Sequence, residues 1–482
     1  MNIHNSQSDD KLLPVRKNKI STAFILASIL PFTVIGSDLE EVDALSLSGE
    51  IIDGRLDEIL SISDEDVGEF VSLERSHTLD LLLKNEYRNA DRPSASGDYG
   101  PKIDAWVQYF GFDYQTQNLL PWLDIQAGVH STAKIHADPN KSSRFYLDGH
   151  DGFTLFTGTV NLKPTDNIEL QLGRYGTDYY AGTLDYFVPL LDESSVRTTP
   201  SYKEGALLKV NTGSFHWYGA VASRFGGGYY SDWEDYGVTT IDPTTGELQV
   251  DEDYKYFLSS IWDNRQDSGT EIGVGLSFME EHSYQGMINA SQMYIDSNQS
   301  FWKAEIRAFY AQLIGRTKDN NSDYMAMMGL DDEDNTFAVS GQLTFNRDAI
   351  TVIGSIGQVG TKLSPLTLVD TDVGFSFDQS IDRNHEDMLA WQLGGFYQAT
   401  EHLNVGLAMV ITDGYEDSSK QVEVVGTGAN FIVQHKGYGQ LKGLDTTLIL
   451  NKAVEYREGS SFGDKLDYYD IKLTFHYPIN II

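Results

Sequence analysis

DYYDIKLTFHY, residues 467 to 477, has two faces. Asp467, Tyr469, Ile471, Leu473, Phe475 and Tyr477 fall on one in steps of two, and Tyr468, Asp470, Lys472, Thr474 and His476 fall on the other. A period of two is a strand. An apolar face with aromatics towards its ends is what a membrane-spanning barrel strand shows to lipid. Such a strand cannot stand alone, because an open edge in hydrocarbon leaves backbone groups unpaired. The reading therefore predicts that similar strands recur along the chain.

They do recur. Leu79, Leu81 and Leu83 open the series, and Leu123, Ile125, Ala127 and Val129 alternate with Asp124, Gln126, Gly128 and His130. Ile168, Leu170 and Leu172 alternate with Glu169 and Gln171, and Trp302, Ala304, Ile306, Ala308 and Tyr310 with Lys303, Glu305, Arg307 and Phe309. Phe337 to Phe345 and Leu403 to Met409 repeat the pattern. Short polar links such as KPTDN (163–167), NTGS (211–214), NRDA (346–349) and ATEH (399–402) take turns with long acidic stretches at 226–253, 317–335, 359–388 and 412–428. Short turns at one end and long loops at the other are the asymmetry of an outer-membrane barrel. A soluble sandwich has strands of roughly five or six residues and no such alternation of links. The fold expected is all-β, a transmembrane antiparallel β-barrel of about 18 strands between Thr78 and Tyr477.

Composition agrees. The chain has 482 residues, 44 glycines, 50 tyrosines and phenylalanines together, and no cysteine, which excludes disulfide frameworks and thiolate metal sites. Its mean hydropathy is −0.32, and its interior has no run of about 18 apolar residues such as a spanning helix needs. A net charge of −36 excludes a nucleic-acid footprint.

The domain plan has three parts. Lys11, Arg16, Lys17 and Lys19 precede an apolar run from Ile20 to Ile35 that small residues close, so residues 1–36 read as a secretory signal peptide. Residues 37–74 form an acidic extension; Asp38 to Glu74 holds 13 acidic residues against one basic, Arg55. It reads as a solvated arm, with a plug or partner-binding peptide as the functional alternative. Residues 75–482 are the barrel.

One link departs from the pattern. YGTDYYAGTLDYFVPLLDESSVRTTPSYKEG, 175 to 205, is long and aromatic, and it carries Phe187, Val188, Leu190 and Leu191, which a solvated loop does not want. The surface on offer for them is the inside of the barrel.

This loop resembles the constriction loop of the OprD-type family of outer-membrane porins. Pro189, Leu191, Arg197, Pro200, Glu204 and Gly205 fall at that family's spacing, while Ser194 and Ser195 replace its Asn-Asp pair and Thr198 and Thr199 its Leu-Leu pair. LDLLLKNEYRNAD (79–91), DAWVQYFGFDYQTQ (104–117), GQLKGLDTTLILNKAVEYRE (439–458) and the end of the chain from Tyr469 are similar to its first two and last two strands. The resemblance implies an 18-stranded barrel with a narrow pore pinched by an inward-folded third extracellular loop, and a row of basic residues along the lumen that guides solutes carrying a carboxylate. Candidate constriction residues are Arg197, Asp192, Glu193, Ser194, Ser195, Tyr202 and Glu204, with Arg197 able to hold a carboxylate by two parallel hydrogen bonds. Candidate lumen charges are Lys303, Arg307, Glu305, Lys472 and Asp470. Glu169 and Asp124 also face inward by parity, so the lumen is mixed rather than basic. Arg174 shares the parity of Leu170 and Leu172 and is expected to face out at the rim. The bland alternatives are that Arg197 only braces the loop against Asp192 or Glu193, and that the inward cations only pair with inward acids.

The function expected is passive, substrate-selective diffusion of small hydrophilic solutes (amino acids, carboxylates or short sugars) across a bacterial outer membrane, without cofactor or turnover chemistry. Partners implied are those solutes, the outer membrane with its lipopolysaccharide, and the barrel-assembly machinery, although the chain ends in Ile482 where many such barrels end in an aromatic. The exterior reads alike for a monomer and a trimer. The rivals are an outer-membrane barrel enzyme and a secreted β-rich binding protein. His130 and His136 share a face but stand about 20 Å apart, too far for one metal ion, and H-E-x-x-H does not occur.

Overall fold

The computed structural model describes residues 77–91, 103–116, 119–137, 152–179, 184–192, 199–228, 230–241, 248–296, 300–318, 334–361, 374–376, 380, 381, 383, 385–416, 419–458 and 465–480. The leader, the acidic extension, and Glu193, Ser194, Ser195 and Arg197 of the loop lie outside them.

The first seven strands are β1 (His77–Asp91), β2 (Ile103–Thr116), β3 (Leu123–Ala137), β4 (Gly152–Thr165), β5 (Ile168–Gly176), β6 (Thr199–Thr212) and β7 (Phe215–Gly228). Three short strands follow in one long link: β8 (Tyr230–Asp235), β9 (Gly237–Ile241) and β10 (Leu248–Glu252). Then come β11 (Lys255–Asn264), the one-turn helix α1 (Arg265–Ser268), β12 (Thr270–Met279), β13 (Ser283–Ile295), β14 (Phe301–Leu313), β15 (Asn335–Arg347) and β16 (Ile350–Val359). β17 (Glu386–Thr400), β18 (Leu403–Tyr415), β19 (Glu423–Lys436), β20 (Asp445–Glu458) and β21 (Lys465–Asn480) complete the chain.

Each long strand pairs antiparallel with the next, β7 pairs β11, and β21 returns to β1 with Leu83 opposite Tyr477 and Arg88 opposite Lys472. The ring is closed, and 18 strands form it: β1 to β7 and β11 to β21. β8 adds to β7 outside the ring, and β9 and β10 pair only with each other. Closure is the physical requirement met here, since it leaves no edge in lipid. The barrel expected from the alternation is present, with the expected strand number.

The two faces divide as the period of two demands. On β14, Trp302, Ile306 and Tyr310 are exposed while Lys303, Glu305 and Arg307 are buried. On β21, Tyr469 and Ile471 are exposed while Tyr468, Asp470 and Lys472 are buried. Outward aromatics gather in two girdles: Phe215, Trp217, Tyr294, Trp302 and Tyr397 near the turns, and Trp106, Tyr256, Phe278, Tyr284, Tyr310 and Tyr456 near the loops. Amphipathic rings favour the two membrane interfaces.

One long-loop position is filled by a link as short as a turn. Only 280–282 separate β12 from β13. Glu281 adopts φ 53°, and its carboxylate accepts the Arg316 backbone N–H at 2.9 Å, so the next loop braces it. His282 beside it is buried, and its pKa is lowered from 6.5 to about 3 by that burial and by Lys255.

Candidate functional site: two inward loops in a charged lumen

The loop between β5 and β6 turns into the barrel. The Val188 carbonyl accepts from Leu191 N–H at 3.1 Å and Asp192 N–H at 2.9 Å, closing a tight turn in which Leu190 takes φ 67°. Phe187, Val188, Leu190 and Leu191 are buried in one cluster with the inward residues Leu207, Tyr218, Phe257, Ile261 and Met287. Removing such a side chain from water is worth roughly 1.5–3 kcal/mol, so burial of these four holds the loop against the wall. This confirms the lumen packing expected from their apolar character.

The wall is shaped for the turn. The Ser259 hydroxyl donates to the Pro189 carbonyl at 2.8 Å. A Cβ on Gly275 would lie 2.3 Å from that same oxygen, and one on Gly273 would lie 3.0 Å from the proline ring. Two glycines on one strand face therefore make the seat for Pro189. Asp192, buried, accepts the Tyr179 backbone N–H at 2.9 Å and ties the two limbs of the loop together.

The loop tip reaches the turn end of the barrel. Tyr186 stacks on His216 at 4.3 Å between ring centroids, and the Arg265 guanidinium lies 5.3 Å from its ring. Burial, then Asp263, pushes its phenol up to about 12, so it stays neutral. Arg265 in turn holds Asp263 bidentately at 2.9 and 2.8 Å and lies 3.4 Å from Glu271.

A second segment enters from the link between β16 and β17. Phe375, buried, lies with its ring 4.5 Å from the Arg307 guanidinium, whose other neighbour is Phe187 at 4.3 Å. Arg383 donates to the Ser376 carbonyl. Ser380 bonds Asn451 of β20 at 2.5 Å, and Ile381 packs with Val410, Ala453 and Tyr468 on β18, β20 and β21. This segment therefore runs from the β14 wall to the wall formed by β18, β20 and β21.

The inward charges are mixed and in register with one another. Lys303 and Glu305 approach to 3.1 Å, and Gln342 donates to Glu305 at 3.2 Å. Arg307 donates from Nε to Asn289 at 3.1 Å. Tyr179, Phe187, Arg265, Glu271, Lys303, Glu305 and Arg307 line one polar pocket beside the first loop. On the wall where the barrel closes, Arg88 grips Asp470 at 3.0 and 2.5 Å, and Lys472 and Lys84 lie 4.0 and 3.8 Å from Glu86. Arg457 pairs with Glu455 at 2.6 Å and Glu416 at 2.8 Å. Asp124, inward as parity demands, pairs with Lys163 at 2.5 Å. Lys303, Glu305, Arg307, Asp470 and Lys472 all stand inside the barrel.

Two candidates of the constriction set sit elsewhere. Tyr202 is buried with its hydroxyl 2.9 Å from His130 Nε2, and His130 Nδ1 lies 2.7 Å from the Tyr109 hydroxyl. Glu204 accepts from Arg174 Nε at 2.7 Å, each about a third exposed. The two face one another across β5 and β6 on the side of Leu172 and Leu208, because the ladder between β5 and β6 runs unbroken through this pair and Glu204 shares the parity of Leu208. Glu204 thus completes an outward pair with Arg174 instead of joining the loop. Lys203 and Lys255, both buried with the Phe257 ring 5.5 and 5.3 Å away, were not singled out from the sequence. The alternation of Lys255, Phe257 and Ser259 with Tyr254, Tyr256 and Leu258 is the signal that carries Lys255. Among the described residues, no group of His, Asp or Glu is arranged to hold a metal ion.

No protein-family model matches the chain. The membrane-associated protein UidC of Escherichia coli (strain K12) is 34% identical over 409 residues, covering 83% of this chain and 91% of UidC. Three crystal structures share the architecture over 84% of this chain. OccAB4 of Acinetobacter baumannii aligns over 98% of its own chain with a TM-score of 0.66 and 14% identity. Pseudomonas aeruginosa OpdK, solved with vanillate, aligns over 98% with a TM-score of 0.61 and 15% identity. A BenF-like porin from Pseudomonas fluorescens Pf-5 aligns over 99% with a TM-score of 0.63 and 12% identity.

Proposed function

The chain belongs to the family of the membrane-associated protein UidC and has the barrel of the OprD-type outer-membrane porins, and on that footing we propose that it is a passive, solute-selective pore of the outer membrane. The observation that carries this reading is the pair of inward loops anchored to opposite walls of a closed barrel. A structural barrel has no need to send two segments through its own lumen. A pore that must discriminate does, because selectivity comes from the width and the lining charges of its narrowest zone.

The lining supports a small polar solute bearing charge. Arg265 and Lys303 share one pocket with Glu271 and Glu305, so a carboxylate and a cationic group each find a partner there. Amino acids, carboxylates (vanillate in the OpdK structure is one) and short polar sugars fit this lining. Within the constriction we assign Arg197 the carboxylate contact, with Glu193, Ser194 and Ser195 beside it and Asp192 bracing the loop. Transport is diffusion down a gradient, and no turnover chemistry takes part. A leader over 1–36 and a solvated extension over 37–74 complete the proposal, together with insertion by the barrel-assembly machinery and either a monomeric or a trimeric assembly.

Liposome swelling with the purified full-length protein tests the selectivity. Faster entry of small carboxylates and zwitterions than of neutral sugars of equal size, with the carboxylate advantage reduced in Arg197→Ala, is the expected result. Equal rates for all solutes of one size would contradict a selective pore. N-terminal sequencing of the membrane-inserted protein tests the leader, with a start at residue 37 expected.

A further inference from the structure

We propose that Arg307 is the joint that couples the two inward loops, and that it acts through the flat faces of its guanidinium rather than through its charge. The inference rests on the pore reading given above, and it concerns what fixes the width of that pore.

Arg307 projects from β14 and is 1% exposed. Its edge is fixed by the wall, since Nε donates to Asn289 of β13 at 3.1 Å. Its Cζ then lies over two aromatic rings that come from different loops, 4.3 Å from the centroid of Phe187 and 4.5 Å from that of Phe375. A guanidinium held by its Nε and in contact with one ring of each loop is a link of fixed length between them. Planar stacking of this kind is a property of arginine, and a lysine at the same place retains the charge without the plane.

The two loops depend on this contact unequally. The first loop has its own seat, formed by Pro189 on Ser259 and by Val188, Leu190 and Leu191 in the wall cluster. The second loop has Ser380 and Ile381 on the far wall and Phe375 on Arg307 at this one. Loss of the stack therefore weakens the hold on the near end of the second loop and leaves its far end moored. Arg307 is accordingly a positioning residue, and the solute need not touch it.

Single-channel recording of the full-length protein in planar bilayers separates plane from charge. Heat-modifiable gel migration first shows that each variant is a folded barrel. If the stack sets the width, Arg307→Lys and Phe375→Ala each raise open-channel conductance about twofold and add rapid flicker, since the narrowest zone controls conduction. Phe187→Ala gives a smaller rise because its loop stays seated. Arg307→Lys at wild-type conductance, with Arg307→Gln shifting the reversal potential, would overturn the proposal in favour of a lining charge. Unchanged conductance in Phe375→Ala would overturn it as well. A wild-type protein that does not conduct sinks the pore reading instead. The joint is then decided by hydrogen exchange over 374–381, which is faster in Arg307→Lys if the stack holds the loop and unaltered if it does not.

Discussion

The Ser259 hydroxyl and the Pro189 carbonyl form a 2.8 Å hydrogen bond that joins the first inward loop to the barrel wall. The bond sits over Gly275, whose missing side chain is what lets the proline backbone approach. Gly275→Ala places a methyl 2.3 Å from the Pro189 oxygen and 2.9 Å from its carbonyl carbon, both backbone atoms that cannot swing aside. Such overpacking costs about 1–3 kcal/mol. The expected outcome is a barrel that still folds with its loop lifted, read as a larger and noisier conductance. Ser259→Ala, which removes only the bond, is expected to cost about 1 kcal/mol and leave the conductance close to wild type.

Arg88 and Asp470 fasten β1 to β21, the pair of strands that closes the ring. Both are buried and bidentately bonded. Asp470→Ala leaves the guanidinium without its principal acid, and breaking a buried pair on one side costs roughly 3–5 kcal/mol. The temperature at which the folded gel band disappears is expected to fall clearly in Asp470→Ala and less in Asp470→Asn, which retains the shape.

His282 gives the extracellular end a pH dependence of known sign. Its folded pKa of about 3 lies below the 6.5 of the exposed side chain, so the unfolded state binds more protons between those values. Stability from this group is complete above pH 6.5 and is lost as pH falls towards 3, at up to about 1.4 kcal/mol per pH unit. The protection of the 280–282 turn against hydrogen exchange, taken relative to the intrinsic amide exchange rate at each pH, is expected to fall from pH 7 to pH 4.5, and His282→Gln is expected to remove that change.

Glu305 lies 3.1 Å from Lys303 in the pocket beside the first loop. Glu305→Gln leaves the lysine's charge less compensated, and lining charge sets ion preference. The reversal potential is expected to move towards anion selectivity, on the order of 10 mV in a tenfold salt gradient. An unchanged reversal potential would show that this pocket is not on the ion path.

What the sequence discloses follows from what each residue faces. Strands such as Trp302 to Tyr310 are legible because lipid and lumen impose opposite chemistry on alternate residues. The inward loop is legible because Phe187 to Leu191 are apolar where water would otherwise meet them. The Phe187–Arg307–Phe375 stack is not legible, since it joins three distant parts of the chain through a lumen that no local pattern encodes. Arg174 is correctly read as outward from its parity, yet its partner Glu204 is read as part of the constriction, because its place in the loop motif outweighs its parity with outward Leu208. The hairpin of β9 and β10 within 226–253 is not legible, because two strands of five residues are too short to establish a period.

Single-channel conductance of the purified wild-type protein in a planar bilayer tests the central claim most directly. The account predicts small, discrete, long-lived steps, as expected of a barrel narrowed by two loops. A correctly folded barrel that gives no steps, or gives the large steps of an unobstructed 18-stranded pore, would contradict it.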